Sequence, residues 1–190
     1  MEKKSTTQKK PRAVARVQFA APEKTLRAFA ATPKRANNPG VLGLRGGIIG
    51  TVDTQDEMEV ITVVKAGIPA RDLYNVIDTL HMPQEHALRM LGIAKSTASG
   101  KLKTDARITP EQSERLLGLV SLVKMVHETV EDSNPEAIAS GFDAATWLER
   151  WITKPLPAIN NKVPADLMDT MVGQALVTKV LRQALEGSFA

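Results

Sequence analysis

From about residue 53 onward the apolar positions recur at helical spacing. "PARDLYNVIDTLH" sets Leu73, Val76, Ile77 and Leu80 on one face behind Pro69. "PQEHALRMLG" opens on Pro83 and closes at Gly92, and "AKSTASGKLKT" resumes after Ile93 alone, so two short helices are joined by a tight turn. In "TPEQSERLLGLVSLVKMVHETVE", Thr109, Pro110 and Gln112 form a capping box. Its residues Leu116, Leu117, Leu119, Val120, Leu122, Val123, Met125 and Val126 cover most of the circumference. A helix this apolar is either central or part of a subunit interface. Shorter helices are expected at "PEAIAS" and "DAATWLERW", then the turn-rich "TKPLPAINNKVP", then an amphipathic helix from about Val172 to Leu185 that Gly187 stops. "TQDEMEVITVVKAG" reads as a helix capped by Asp53 or Thr54 and stopped at Gly67, although its β-branched residues leave a strand open.

Upstream the pattern fades. "GVLGLRGGIIG", residues 40–50, has neither the G-x-G-x-x-G spacing nor a GK[ST] ending of a phosphate cradle, and reads as a connector. The first 40 residues are Pro-containing, poor in large apolar residues, and hold 10 Lys/Arg against 2 acids. Such a segment is expected to be largely disordered when free. It is a solubilising leader, an arm on DNA phosphates or, from "RVQFAAPEKTLRAFAA", an organellar presequence. The remaining chain has 15 Lys/Arg against 19 acids, so the net charge of +4 conceals a basic arm on a mildly acidic body. The expected organisation is all-α: residues 1–50 as basic arm and connector, 51–132 as a helix-turn-helix and dimerisation domain, and 133–190 as a small helical C-terminal domain.

Composition narrows the chemistry. With 43% apolar but only 4% aromatic residues, packed helices are favoured over a β-sandwich. The absence of cysteine excludes disulfides, thiolate catalysis, zinc fingers and iron–sulfur clusters. No apolar run approaches the ~18 residues of a membrane span and no secretory h-region is present, so a cytoplasmic protein with no membrane partner is expected. His81, His86 and His127 form no i,i+4 ligand pair, and neither a G-x-S-x-G nor a paired-carboxylate motif occurs. No enzyme, metal or cofactor is expected.

"LRMLGIAKSTASGKLK" has the layout of a helix-turn-helix. Lys95, Ser96, Thr97, Ser99, Lys101 and Lys103 are the candidate DNA contacts, against the alternative of a helical hairpin with a solvated lysine face. Lysines without arginines suit phosphate contact better than bidentate base reading. Two features depart from the usual motif: Leu88 stands where a small residue is common, and Gly100 inside the second helix costs about 1 kcal/mol relative to Ala. Trp147 and Trp151, spaced i,i+4 beside Leu148, are core residues or partner anchors.

The stretch "FDAATWLERWITKPLPAINNKVPADLMDTMVGQALVTKVLRQALEGSFA" resembles the C-terminal domain of the Xre/MbcA/ParS family of bacterial antitoxins. Trp147-Leu148, Pro157-Ala158, Pro164, Leu167, Asp169-Thr170, Gly173 and Gly187-Ser188-Phe189-Ala190 carry that likeness in order. "KAGIPARDLYNVIDTLHMPQEHALRMLGIAKST" and "RITPEQSERLLGLVSLV" resemble the family's helix-turn-helix half, so the likeness covers about residues 55–190. Where the family has Gly-Gly this chain has Asn160-Asn161, and Val163 replaces a capping Thr. Ala98 stands where a larger apolar residue anchors the second helix, and Gly100 where a basic residue is common.

The resemblance implies an antitoxin that neutralises a RES-domain, NAD-consuming toxin by direct binding, with its C-terminal end in the toxin's active-site cleft. Trp147, Trp151, Gly187, Ser188, Phe189 and Ala190 become the toxin-binding candidates, with Phe189 as apolar anchor and the terminal carboxylate meeting groups that hold a nucleotide phosphate. It further implies a homodimer, with the helix from Pro110 as seam, that binds operator DNA and represses its own operon. The alternative is a plain helix-turn-helix regulator whose C-terminal domain dimerises or senses a ligand.

Overall fold

A computed structural model describes residues 56–81 and 83–187. Among them lie eight α-helices: α1 Glu57–Ala66, α2 Ala70–Thr79, α3 Gln84–Met90, α4 Lys95–Lys103, α5 Pro110–Ser133, α6 Pro135–Ala139, α7 Ala144–Ile152 and α8 Met171–Glu186. Two 3-10 turns, Pro157–Ile159 and Pro164–Leu167, separate α7 from α8. Extended backbone pairs, among the described residues, only in two isolated bridges, Pro69 with Arg107 and Leu156 with Lys162. The basic arm and the connector fall outside the described residues.

Local chemistry explains most helix ends. The Asp56 carboxylate accepts from the N–H groups of Met58 and Glu59 at 2.9 and 3.1 Å, so the cap of α1 is Asp56 instead of Asp53 or Thr54. Glu57 and Glu59 in the first turn and Lys65 in the last suit the helix dipole, and Gly67 closes the helix at φ 75°. The strand alternative loses because Val60, Val63 and Val64 share a helical face packed on the core. At the start of α5 the expected box is present: Gln112 N–H donates to Thr109 Oγ1 at 3.3 Å and Thr109 N–H to Gln112 Oε1 at 3.1 Å. The buried Ser113 hydroxyl ties this turn to the chain before α2, donating to Thr109 O at 2.8 Å and accepting from Ile68 N–H at 2.9 Å.

The 24-residue α5 is the axis of the fold, with α1, α6, α7 and α8 packed on it. Leu116, Leu117, Leu119, Val120, Leu122, Val123, Val126 and Val130 are buried within the single chain. Of the two roles the sequence left open for this helix, the fold gives it the central one, since its apolar face is covered by helices of the same protomer. One continuous core runs from Ile68 through α2, α3, α5 and α7 to Leu185 on α8.

Gln174 fastens α8 to α5. It is 5% exposed, and its amide donates to Arg115 O and Met168 O, each at 3.0 Å. Gly118 makes room for it, since a Cβ there would run into the Gln174 side chain. Gly173 is equally constrained, because a Cβ would strike the carbonyl oxygen of Leu167. The last helix spans Met171–Glu186, slightly longer at both ends than expected, because Thr170 caps it by accepting from Gly173 N–H at 3.1 Å. Gly187 does not stop it by a left-handed turn: its φ of −69° and ψ of −10° are right-handed, and its N–H still donates to Gln183 O.

Candidate functional site

The basic element is built on the turn between α3 and α4. Gly92, at φ 66°, ends α3 with paired bonds, Gly92 N–H to Arg89 O at 2.9 Å and Ile93 N–H to Leu88 O at 2.8 Å. This is the Schellman arrangement, and the apolar pair that accompanies it is Leu88 with Ile93, both buried. The larger residue at position 88 therefore has a structural task, while Ala87 beside it is fully buried. Arg115 of α5 donates to Leu91 O at 3.1 Å and holds the turn against the axis.

Ala98 is 0% exposed and anchors α4 in the core in spite of its small size. Lys95, Ser96, Thr97 and Lys103 are exposed, whereas Ser99 is half-buried. Lys101 is also half-buried, with Nζ donating to Arg107 O at 2.7 Å, so it braces the loop after α4. The exposed Arg89 lies in the last turn of α3 and lines, with His86, Gly92 and Lys95, a groove of about 620 Å³ at the mouth of the turn. Arg89 was not among the candidates read from the sequence because it sits in the helix read as apolar, three residues before the turn glycine.

The second surface lies on α7 and α8. Trp147 is 8% exposed and belongs to the core, while the half-buried Trp151 stacks on it with ring centroids 6.5 Å apart and planes 11° from parallel. The first indole is thus taken up by packing, and the second is the more accessible of the pair. Asn160 and Asn161 both stand at φ 58°, the left-handed region that the family's glycines would adopt, and Val163 gives the next 3-10 turn no side-chain cap.

Met171, Val172 and Leu176 project from the first half of α8, exposed by 46%, 83% and 42%. Further along, Lys179, Arg182, Gln183 and Glu186 make the exposed side of that helix polar. Gly187 is the last described residue; Ser188, Phe189 and Ala190 lie outside the described residues. No group of His, Cys, Asp or Glu among the described residues is arranged to hold a metal ion. No described helix is long and apolar enough to cross a membrane. His81 pairs with the Asp143 cap of α7 at 3.5 Å, and His127 with Glu131 at 3.8 Å.

Two parts of this fold match known protein domains. Residues 59–121, from α1 into α5, match the antitoxin Xre-like helix-turn-helix domain. Residues 141–187, holding α7, both 3-10 turns and α8, match the antitoxin Xre/MbcA/ParS C-terminal toxin-binding domain. The chain is 40% identical over 130 residues, 68% of its own length and 80% of the relative's, to the Prs ADP-ribosylating antitoxin of Sphingobium sp. strain YBL2. It is 24% identical over 120 residues, 61% of its length and 74% of the relative's, to antitoxin Xre of Yersinia enterocolitica serotype O:8. Both matched domains are described as parts of antitoxins and neither as an enzyme. An antitoxin helix-turn-helix domain over residues 59–121, followed by an antitoxin toxin-binding domain over residues 141–187 and joined to 40% identity with the Sphingobium antitoxin, makes this chain a member of the Xre/MbcA/ParS antitoxin family.

Proposed function

We propose that this antitoxin neutralises a RES-domain toxin that consumes NAD, docking along the exposed side of α8 and carrying the segment after Gly187 into the toxin's active-site cleft. The observation that carries the reading is the apolar start of α8. Val172 at 83% exposure, with Met171 and Leu176 beside it, is an apolar patch with no counterpart in the rest of the toxin-binding domain's described surface. Interfaces bury an apolar centre inside a polar rim, and Lys179, Arg182 and Gln183 supply such a rim down the helix. α8 is about 24 Å long at 1.5 Å per residue, so a partner seated on the patch and reaching the far end covers an ordinary interface. Trp151 is the more accessible indole for a partner, and Trp147 stacks behind it from the core.

The toxin's chemistry is supported by the name of the Sphingobium relative, an ADP-ribosylating antitoxin. ADP-ribosyl transfer takes its ADP-ribose from NAD, so an ADP-ribosylating partner and an NAD-consuming one belong to the same class. Phe189 then serves as an apolar plug in that cleft. Lys95, Ser96, Thr97, Ser99 and Lys103, joined by Arg89, meet operator phosphates and base edges, Lys101 serving mainly to hold the loop behind them. A homodimer sets two α4 helices on successive major grooves and so represses its own operon. With α5 covered and the α8 patch given to the toxin, its seam falls to another face, for which Met58 and Ile61 on α1 are exposed apolar candidates.

The test is intracellular NAD after induction of the neighbouring gene's product, alone and with three forms of this protein: full length, ending at Glu186, and Val172→Asp. Full-length protein is expected to hold NAD at its starting level. The truncated form is expected to bind the toxin without protecting, and Val172→Asp to lose binding while melting as the parent does. If NAD never falls on induction, the RES reading loses its partner; if the truncated form protects, the plug is wrong.

A further inference from the structure

Of the seven described glycines, six have a structural reason to lack a side chain. Gly67, Gly92 and Gly141 stand at φ 75°, 66° and 89°. At Gly118 and Gly173 a Cβ would collide with Gln174 and with the Leu167 carbonyl, and at Gly187 it would lie 3.0 Å from Gln183 O. Gly100 is different. It lies inside α4, has no positive φ, and a Cβ built there has nothing within 4 Å. The fold does not need this glycine, yet a glycine in a helix interior lowers stability relative to alanine.

Its position says what does need it. At 100° per residue, Ser96, Gly100 and Lys103 all lie within about 40° of the point opposite the buried Ala98. Gly100 therefore lies, with Ser96, at the middle of the outer face of α4, a helix without a single acid and with Lys95, Lys101 and Lys103. A polyanion suits those surroundings, and glycine permits the backbone itself to be approached.

We infer that Gly100 is the point of closest approach of α4 to duplex DNA, the missing Cβ letting the helix seat deeper in the major groove than a side chain would allow. This rests on the operator-binding reading of α4 given above. It assigns a positioning role to a residue that the sequence presents as a defect in a recognition helix. It also predicts opposite signs for stability and binding from one substitution.

The test uses a labelled duplex selected from a random-sequence library by the full-length protein. Thermal melting and duplex affinity are then measured for the parent, Gly100→Ala, Gly100→Leu and the Lys95→Ala/Lys103→Ala double variant. Gly100→Ala is expected to raise the folding constant by about fivefold, the propensity gap between the two residues. It is expected to bind the duplex roughly tenfold more weakly, as an extra methyl in a close-fitted contact does, and Gly100→Leu more weakly still. If no duplex is enriched, or the double lysine variant binds as the parent does, the operator reading of α4 fails and this inference with it. If the lysine variant weakens but both Gly100 variants bind as the parent does, the close approach alone is overturned. A Gly100→Ala protein that melts lower than the parent would show that the glycine serves the fold, and would overturn it too.

Discussion

Gln174 shows how a single polar side chain can hold two sequence-distant segments together. Its amide closes on carbonyls of Arg115 and Met168, and only a glycine at position 118 leaves space for it on α5. Removing the amide takes the buried donor from the Met168 carbonyl and a second bond from the helical Arg115 carbonyl, which costs about 1–3 kcal/mol. Gln174→Ala is therefore expected to lose about that much stability in urea unfolding. Gly118→Ala, although it replaces the poorer helix former by the better, is expected to destabilise as well, because the helix gain of about 1 kcal/mol is outweighed by displacement of Gln174. A more stable Gly118→Ala protein would show that the side chain can move aside. Gly173 is subject to the same logic against the Leu167 carbonyl.

At the level of the element, the first turn of α5 joins capping to acid sensitivity. A backbone hydrogen bond in that turn and then the Thr109 hydroxyl hold the Glu111 carboxyl below the ordinary carboxylate range, with Arg115 adding a smaller pull. The folded value is the lower one, so this contribution is complete above the unfolded carboxylate value of about 4.3 and is lost as pH falls through the folded value. Thr109→Ala is expected to cost about 1 kcal/mol at neutral pH through the lost cap, and to flatten part of the stability change below that value. The check is a series of urea midpoints from pH 3 to pH 7. An unchanged acid slope in the variant would separate Glu111 from the cap.

Across the whole molecule, the two functional surfaces are set on one core. α7 and α8 pack on α5, and Arg115 of α5 holds the turn between α3 and α4 through the Leu91 carbonyl, with Leu116, Leu148, Met168 and Leu181 all fully buried in the same cluster. Truncating Leu148 to Ala removes about 2–5 kcal/mol in a site of this kind. The loss is expected to lower α4 and α8 together, in a single unfolding transition. Amide exchange would report it, through a matched rise in opening for Ile93 and for Val177. Independent opening of the two halves would show that the shared cluster does not couple them.

Much of this was legible in the chain because the signals are local. The capping box at Thr109, the left-handed turn at Gly92, the stripe of Leu73, Val76, Ile77 and Leu80, and the order of helix, turn and basic helix depend on residues within a few positions of one another. So did the left-handed Asn160 and Asn161, since asparagine tolerates that backbone better than most residues. The rest depended on distance partners that spacing does not reveal. That α5 is covered by its own protomer, that Lys101 is drawn onto the Arg107 carbonyl, and that Arg89 lines the groove at the turn follow from contacts across separate elements. The same holds for glycines: residues 100, 118 and 173 look alike in the sequence. Packing alone distinguishes the two whose missing Cβ is filled by a neighbour of this chain from the one whose missing Cβ faces open space.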